Sequence, residues 1–363
     1  MSNGKKTDSE NPSIDARIKL PKKKLIFYLI TFVAVFLIFT HQTEFTTVKN
    51  LFKESNSEWL FWVVVSQLAA YFLLALNYRE VLRIKKTEVP TGELFPLTFI
   101  IQFFNQTLPS GGIAGQVFFI NYLYKKGFTL AEGIGRAILE MLTLYLAFGV
   151  FFLATIALIF REHIIVSHPT IWLFIYAFIF VAILAFGVFF AAQKKSRVRW
   201  LEKTVFKLYR FFIDEPSWAK IPFLKNFVDY KKHISPVMNE LRATMNIEEL
   251  RRHAAPFWWA TAWQALILVA NALTLHFLAL ALGYRLPLVV SFIAYMLTRF
   301  VILTSVVPGA LGISEGAMTF ALATFGVPLG AAFSITILFR AFTFWLPMPI
   351  GWLLYSGMNK QPD

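Results

Sequence analysis

The chain has 363 residues, 57% hydrophobic and only 15% charged, with a mean hydropathy of +0.59. That balance excludes an ordinary soluble domain and describes a protein crossing a membrane several times. The net charge of +14 points first to nucleic acid, but the cations lie between the apolar runs, as in cytoplasmic loops. No nucleic-acid partner is expected, and the lack of any cysteine excludes disulfides, thiolate metal sites and cysteine nucleophiles.

Residues 1–24 are polar and basic and read as a cytoplasmic segment. Residues 25–40 are apolar, and no small-residue cleavage site follows at His41-Gln42-Thr43-Glu44, so this is an uncleaved first span. The mixed-charge loop to Glu58 fits the outside. Residues 59–76 return inward to Arg79, Arg83, Lys85 and Lys86.

Two apolar arms follow, 94–108 and 113–123, each short of the roughly 20 residues a span needs. Between them lies Leu108-Pro109-Ser110-Gly111-Gly112, where proline and two glycines cannot continue a helix. Backbone freed in this way is tolerated at membrane depth only against protein or a water-filled cavity. The spacing predicts a re-entrant hairpin that closes at Lys125-Lys126.

Residues 130–160 run outward and 171–192 come back. Residues 193–253 carry fourteen Lys/Arg against seven acids and belong inside. There, Val198, Leu201, Val205, Leu208 and Phe212 keep helical spacing, with Arg199, Lys203, Lys207 and Arg210 on other faces. The expectation for the 193–254 insert is a basic amphipathic helix on anionic lipid, each cation near the surface contributing about 1 kcal/mol.

Residues 255–282 go outward to Gly283-Tyr284-Arg285, and a second broken segment, 286–325, turns at Pro308-Gly309-Ala310-Leu311-Gly312. Residues 329–355 cross inward, and the 356–363 tail with Lys360 is cytoplasmic. Span, span, hairpin, span thus occupies 25–160 and recurs over 171–355, starting inside in one half and outside in the other. The expected fold is an all-α integral membrane protein: a polytopic helical bundle of about six full spans plus two re-entrant helical hairpins, built as an inverted-topology repeat. Each hairpin can also be read as two tilted full spans, which leaves the orientation unchanged.

Five ionisable residues fall in apolar surroundings: Arg136, Glu140, Arg299, Glu315 and Arg340. Each costs roughly 2.5–3.5 kcal/mol at a helix centre, so none should face lipid. Arg136 and Glu140 are spaced to pair on one helix face, while neither Arg299 nor Arg340 has an acid one turn away. Asn105, Gln106 and Ser110 either line a polar cavity or cap the broken helix ends. Asn271 and His276 read as contacts between helices ahead of a proton relay. No Ser-His-Asp set, metal-ligand spacing or P-loop is present in the sequence, so no enzyme activity, metal or cofactor is expected.

Asn105 with Leu108-Pro109-Ser110-Gly111-Gly112, Gly115, Glu140, Arg299, Pro308-Gly309, Leu311-Gly312, Glu315-Gly316 and Arg340 make the chain resemble the lysylphosphatidylglycerol synthase transmembrane, or flippase-like domain, family. The likeness runs from about residue 24 onward. It implies a membrane module that moves a phospholipid or lipid-linked headgroup between leaflets. Two-part members add a soluble domain that transfers lysine from charged tRNA to phosphatidylglycerol. That domain is not expected here, since the sequence ends at Asp363. Many members carry an acid and a base just after the first glycine cluster, where this chain has Gln116 and Phe119.

The reading that results is a lipid translocase in the cell membrane with both termini cytoplasmic. Its candidate translocation residues are Asn105, Pro109, Ser110, Gly111, Gly112, Gln116, Arg136, Glu140, Arg299, Pro308, Gly309, Gly312, Glu315 and Arg340. Membrane phospholipid or a lipid-linked substrate is the expected partner, with Arg299 and Arg340 on its anionic part. Glu140 and Glu315 are the candidates to carry a coupling proton. The alternatives are a membrane-embedded enzyme acting on lipid phosphate or a lipid-linked sugar, and a non-catalytic subunit of a lipid-modifying complex.

Overall fold

A computed structural model describes residues 55–84, 88–107, 113–161, 254–304 and 308–358. The expected spans at 25–40 and 171–192, most of the 193–254 insert, the 1–24 segment and the turn residues Pro109, Ser110, Gly111 and Gly112 lie outside them.

The first described helix, α1 (Ser57–Arg83), starts on Asn56, whose side chain accepts the Glu58 N–H at 2.9 Å. It runs past the end of its apolar stretch because Glu80 gathers Arg79 and Arg83 at 3.1 and 3.2 Å, which carries the last turn into the polar region. Helices α2 (Thr91–Thr107) and α3 (Ile113–Lys125) are the two arms of the first broken segment. They lie close because Gly115 has no side chain: a Cβ there would sit 2.5 Å from the Ile101 carbonyl oxygen. The Gly115 N–H donates to Asn105 Oδ1 at 2.7 Å, so Asn105 closes the hairpin by capping α3.

Helix α4 (Leu130–Arg161) opens with a capping box. The Thr129 N–H donates to Glu132 Oε2 at 3.0 Å, and the Glu132 N–H donates back to Thr129 Oγ1 at 3.2 Å. Helix α5 (Ala254–Ala281) leads through a turn at Gly283 into α6 (Leu288–Thr304), the 3-10 turn Pro308–Ala310 and α7 (Ile313–Thr324). The last described length is α8 (Leu329–Arg340), a π-turn Ala341–Trp345, and α9 (Pro347–Met358).

Among the described residues, four lengths are long and apolar enough to cross a bilayer: Ser57–Arg83, Glu132–Ile159, Ala254–Ala281 and Leu329–Met358. The arms α2, α3, α6 and α7 are shorter, at 17, 13, 17 and 12 residues. The protein is a polytopic helical membrane protein. Phe61, Val150, Phe320 and Leu329 are 62–68% exposed, as side chains facing acyl tails should be.

At the centre, α1 packs antiparallel to α5. Ser66 and Thr274 hydroxyls meet at 2.7 Å, Gln67 donates to Thr274 at 2.8 Å and to Asn271 at 3.2 Å, and Asn77 donates to the Ala260 carbonyl at 2.9 Å. Such contacts average about 0.6 kcal/mol each between membrane helices, so their number fixes the register of the pair. Asn271 is thus a contact between helices, and His276 likewise reaches Ser291 at 3.2 Å. Around this pair, α2 lies on α9 and α6 on α4, while α4 also contacts α5.

Candidate functional site

The second turn is built around Arg340. Its Nε donates to Glu315 Oε1 at 2.7 Å, and its Nη2 donates to the Gly309 carbonyl at 2.8 Å. The guanidinium lies 4.0 Å from the centroid of the Phe344 ring. Both charged side chains are nearly buried, 10% and 12% exposed. Ser314 donates to the second Glu315 oxygen at 2.9 Å, and Glu315 occupies the first turn of α7, where a carboxylate is favoured. The backbone enclosed here is unusual: Gly309, Ala310 and Gly312 have φ of 56°, 49° and 78°. A Cβ on Gly309 would overlap the Phe344 ring, so glycine is required twice over.

The end of α2 meets the second break. Helix α2, which leads into the first turn, contacts the Pro308–Ala310 turn of the second. Gln106 Nε2 donates to the Thr343 carbonyl at 3.3 Å. Proline has no N–H, so Pro347 cannot supply the usual helical donor to residue 343, and the backbone passes through a π-turn with Leu346 N–H on the Ala341 carbonyl at 2.9 Å. The amide of one broken segment thus satisfies a carbonyl orphaned by the other half of the chain.

A second polar cluster surrounds Glu140 on α4. Gln116 of α3 donates to its Oε2 at 2.6 Å, and Gln264 of α5 donates to its Oε1 at 2.9 Å. Glu140 is 4% exposed, so the two amides replace water on the carboxyl. Arg136, one turn earlier, is 1% exposed, donates to the Glu132 carbonyl at 3.2 Å and lies 4.5 Å from the Phe128 ring centroid. The i, i+4 spacing allowed an Arg136–Glu140 pair, but amides from two other helices occupy both Glu140 oxygens. Arg299 stands on α6, with its Nε buried and without a hydrogen-bond partner.

The structure therefore sorts the sequence candidates into groups. Arg340, Glu315, Gly309 and Gly312 form the second turn, with Pro308 opening it. Gln116 and Glu140 form the cluster between α3, α4 and α5 with Gln264, while Arg299 stands on α6. Asn105 caps the first hairpin, and Arg136, one turn before Glu140 on α4, donates to the Glu132 carbonyl. The family described as lysylphosphatidylglycerol synthase TM region matches residues 25–351. The chain belongs to that family. Among its relatives, the UPF0104 membrane protein MJ1595 of Methanocaldococcus jannaschii is 20% identical over 363 residues, covering 96% of this chain and 98% of that one. The UPF0104 membrane protein PH1989 of Pyrococcus horikoshii is 32% identical over 91 residues, 25% of this chain and 27% of that one. No solved structure matches this lysylphosphatidylglycerol synthase TM chain.

Gln67, Asn77 and Gln264 also belong to this polar framework and were not singled out in the sequence, whereas Gln106 was read there as lining a cavity or capping a helix end. An amide inside an apolar run carried the signal for all three, which sit on full spans. An open cavity of about 1040 Å³ lies elsewhere, at the ends of α1 and α5, lined by Asn56, Trp59, His276 and Arg285 among others, and none of the candidates borders it.

Proposed function

We propose that this lysylphosphatidylglycerol synthase TM protein is a lipid translocase that moves an anionic phospholipid or lipid-linked headgroup between leaflets without altering it covalently. The observation that carries the reading is the contact between the end of α2, which leads into the first break, and the second half, with Gln106 on Thr343 and the Pro308–Ala310 turn against α2. A broken helix at membrane depth frees backbone polar groups, and two such breaks side by side give a headgroup a polar route past apolar walls. Acyl tails can stay in lipid meanwhile.

Family membership supports a lipid-related role, and the packing supports two inverted halves. The first hairpin's leading arm, α2, lies on the final span of the second half, and the second hairpin's leading arm, α6, lies on the final span of the first. That reciprocity is expected of a two-fold axis in the membrane plane. The orientation follows the cationic loops: both termini and residues 193–253 cytoplasmic, with anionic lipid against the basic insert.

The test is reconstitution of the full chain into proteoliposomes with a labelled anionic phospholipid. The leaflet of the label and the mass of the recovered lipid are both read. Transfer with unchanged mass supports translocation. A changed lipid mass moves the protein to the enzymes, and neither effect makes it a partner subunit.

A further inference from the structure

The fold answers the two candidate carriers of a coupling proton, Glu140 and Glu315, in different ways. Glu315 has a counter-charge in contact, Arg340 Nε on its Oε1 at 2.7 Å. Among the described residues, no cation makes a hydrogen bond or ion pair to the Glu140 carboxyl. Two neutral amides hold it instead, Gln116 of α3 on Oε2 at 2.6 Å and Gln264 of α5 on Oε1 at 2.9 Å. For a carboxylate only 4% exposed, amides alone are a poor substitute for water or a cation.

The amides also show what the site lacks. A carboxylic acid and a primary amide pair side by side through two bonds, amide N–H to acid oxygen and acid O–H to amide oxygen. A carboxylate can make only the first. Between Gln116 and Glu140 the first bond is made, and Gln116 Oε1 is buried with no partner. The whole Gln116 residue is 7% exposed, so the unanswered oxygen is sealed from solvent. Its place is fixed by covalent geometry, since it shares one amide plane with the nitrogen that touches the carboxyl.

A second spare acceptor belongs to the same network. Asn77 of α1 donates to Thr143 Oγ1 at 3.3 Å, and Thr143 donates to the Glu140 backbone carbonyl at 2.7 Å. The Asn77 Oδ1 is likewise buried without a partner. The cluster therefore has acceptors to spare and a carboxylate that no cation touches, which calls for a cationic ligand. A metal ion needs oxygens turned toward it, and N–H groups already occupy both carboxyl oxygens. A proton needs only one acceptor beside the carboxyl.

We propose that Glu140 is a proton-binding site, the proton lying between its carboxyl and Gln116 Oε1, and that its uptake and release accompany lipid transfer. The coupling rests on the translocase reading, and the proton site does not. A hydronium ion gives its proton to Glu140 Oε1, and the new O–H donates to the amide oxygen while the amide N–H stays on Oε2. Two bonds then join α3 to α4 where one did before. Gln116 lies in the first turn of α3, directly after the first helix break, so the added bond bears on that hairpin. The charged or titratable side chains around the carboxyl are Tyr78 of α1, Arg136 and Tyr145 of α4 and Arg299 of α6, while α3 and α5 meet it with amides.

The experiment follows the infrared spectrum of the detergent-solubilised full chain as pH is lowered. A protonated carboxyl has a carbonyl stretch that a carboxylate lacks, and subtracting the spectrum of Glu140→Gln isolates this group. Wild type should gain such a band reversibly, and Glu140→Gln, which imitates the protonated shape, should lose it. Gln116→Met removes the amide and should shift the band to higher wavenumber, which keeps the test decisive if Glu140→Gln fails to fold. No band that Glu140→Gln removes, or a band unmoved by Gln116→Met, overturns the site. Thermal stabilisation by sodium over choline at fixed pH, absent in Glu140→Gln, gives the site to a metal ion and overturns the proton. In proteoliposomes, a pH gradient should change the transfer of an anionic phospholipid severalfold in wild type and leave Glu140→Gln unresponsive. Equal responses overturn the coupling. A titrating band without any leaflet transfer leaves the site standing and ends the translocase reading, and transfer without the band does the reverse.

Discussion

Arg340 and Glu315 are 25 residues apart in sequence and meet at 2.7 Å, binding the end of α8 to the start of α7 across the second helix break. The pair is nearly buried, and the same guanidinium satisfies the Gly309 carbonyl. Losing one partner of such a pair typically costs about 3–5 kcal/mol, because the other charge is left uncompensated. Arg340→Gln and Glu315→Gln should each lower the thermal midpoint of the solubilised protein by several degrees, and changing both to methionine should recover part of the loss. A double variant as unstable as the sum of the single ones would show that no coupling exists between them.

Gly309 provides a second test. Its φ of 56° and the Phe344 ring across from it leave no room for a side chain. The backbone strain alone is about 1–2 kcal/mol for alanine, with the overlap added. Gly309→Ala should therefore destabilise the protein and slow transport, while Gly309→Leu should do both more severely. Adding Phe344→Ala should return part of the stability lost in Gly309→Ala, though not the strain. Full recovery would place the whole effect in the overlap and none in the backbone.

The helices were legible in the sequence because two signals agree along them. Apolar runs mark α1, α4, α5 and the α8–α9 length, and Pro-Gly breaks divide the shorter arms at the places the structure divides them. The candidate site was legible residue by residue and not in its pairing. That Arg340 belongs to Glu315 depends on how α7 and α8 pack, and no spacing rule reaches across 25 residues. Glu140 shows the converse: its i, i+4 neighbour Arg136 was the natural partner on paper, yet helix packing brought two amides closer. The Thr343 carbonyl bonded by Gln106 was written in the sequence as Pro347, but only the structure shows which side chain answers it.

The hairpin formed by α2 and α3 carries a pH-sensitive tie at its open end. Glu93 pairs with Lys126 and accepts the Tyr122 hydroxyl at 2.8 Å, and the hydrogen bond from Lys126 is the main cause that holds its carboxyl below the ordinary glutamate range. A lowered folded pKa gives stability that is present above the unfolded value of about 4.3 and is lost as pH falls through the folded one. Because Glu93 is 40% exposed, the effect should be at most about 1 kcal/mol. Thermal midpoints measured from pH 7 downward should fall less steeply through this range in Glu93→Gln than in wild type. Parallel curves would remove Glu93 from the acid response.

Orientation can be read cleanly because the chain has no native cysteine. A cysteine at Ser196 should resist an impermeant reagent on intact cells and react after permeabilisation, whereas one in the loop 41–58 should react on intact cells. External labelling at Ser196 would invert the assignment of both halves.

The most direct test of the account is the rate of leaflet transfer in proteoliposomes holding equal amounts of folded wild type and Gly309→Leu. The account predicts that wild type moves an anionic phospholipid well above the protein-free rate with its mass unchanged. Gly309→Leu should come close to the protein-free rate. Wild-type transfer no faster than in protein-free vesicles would contradict it.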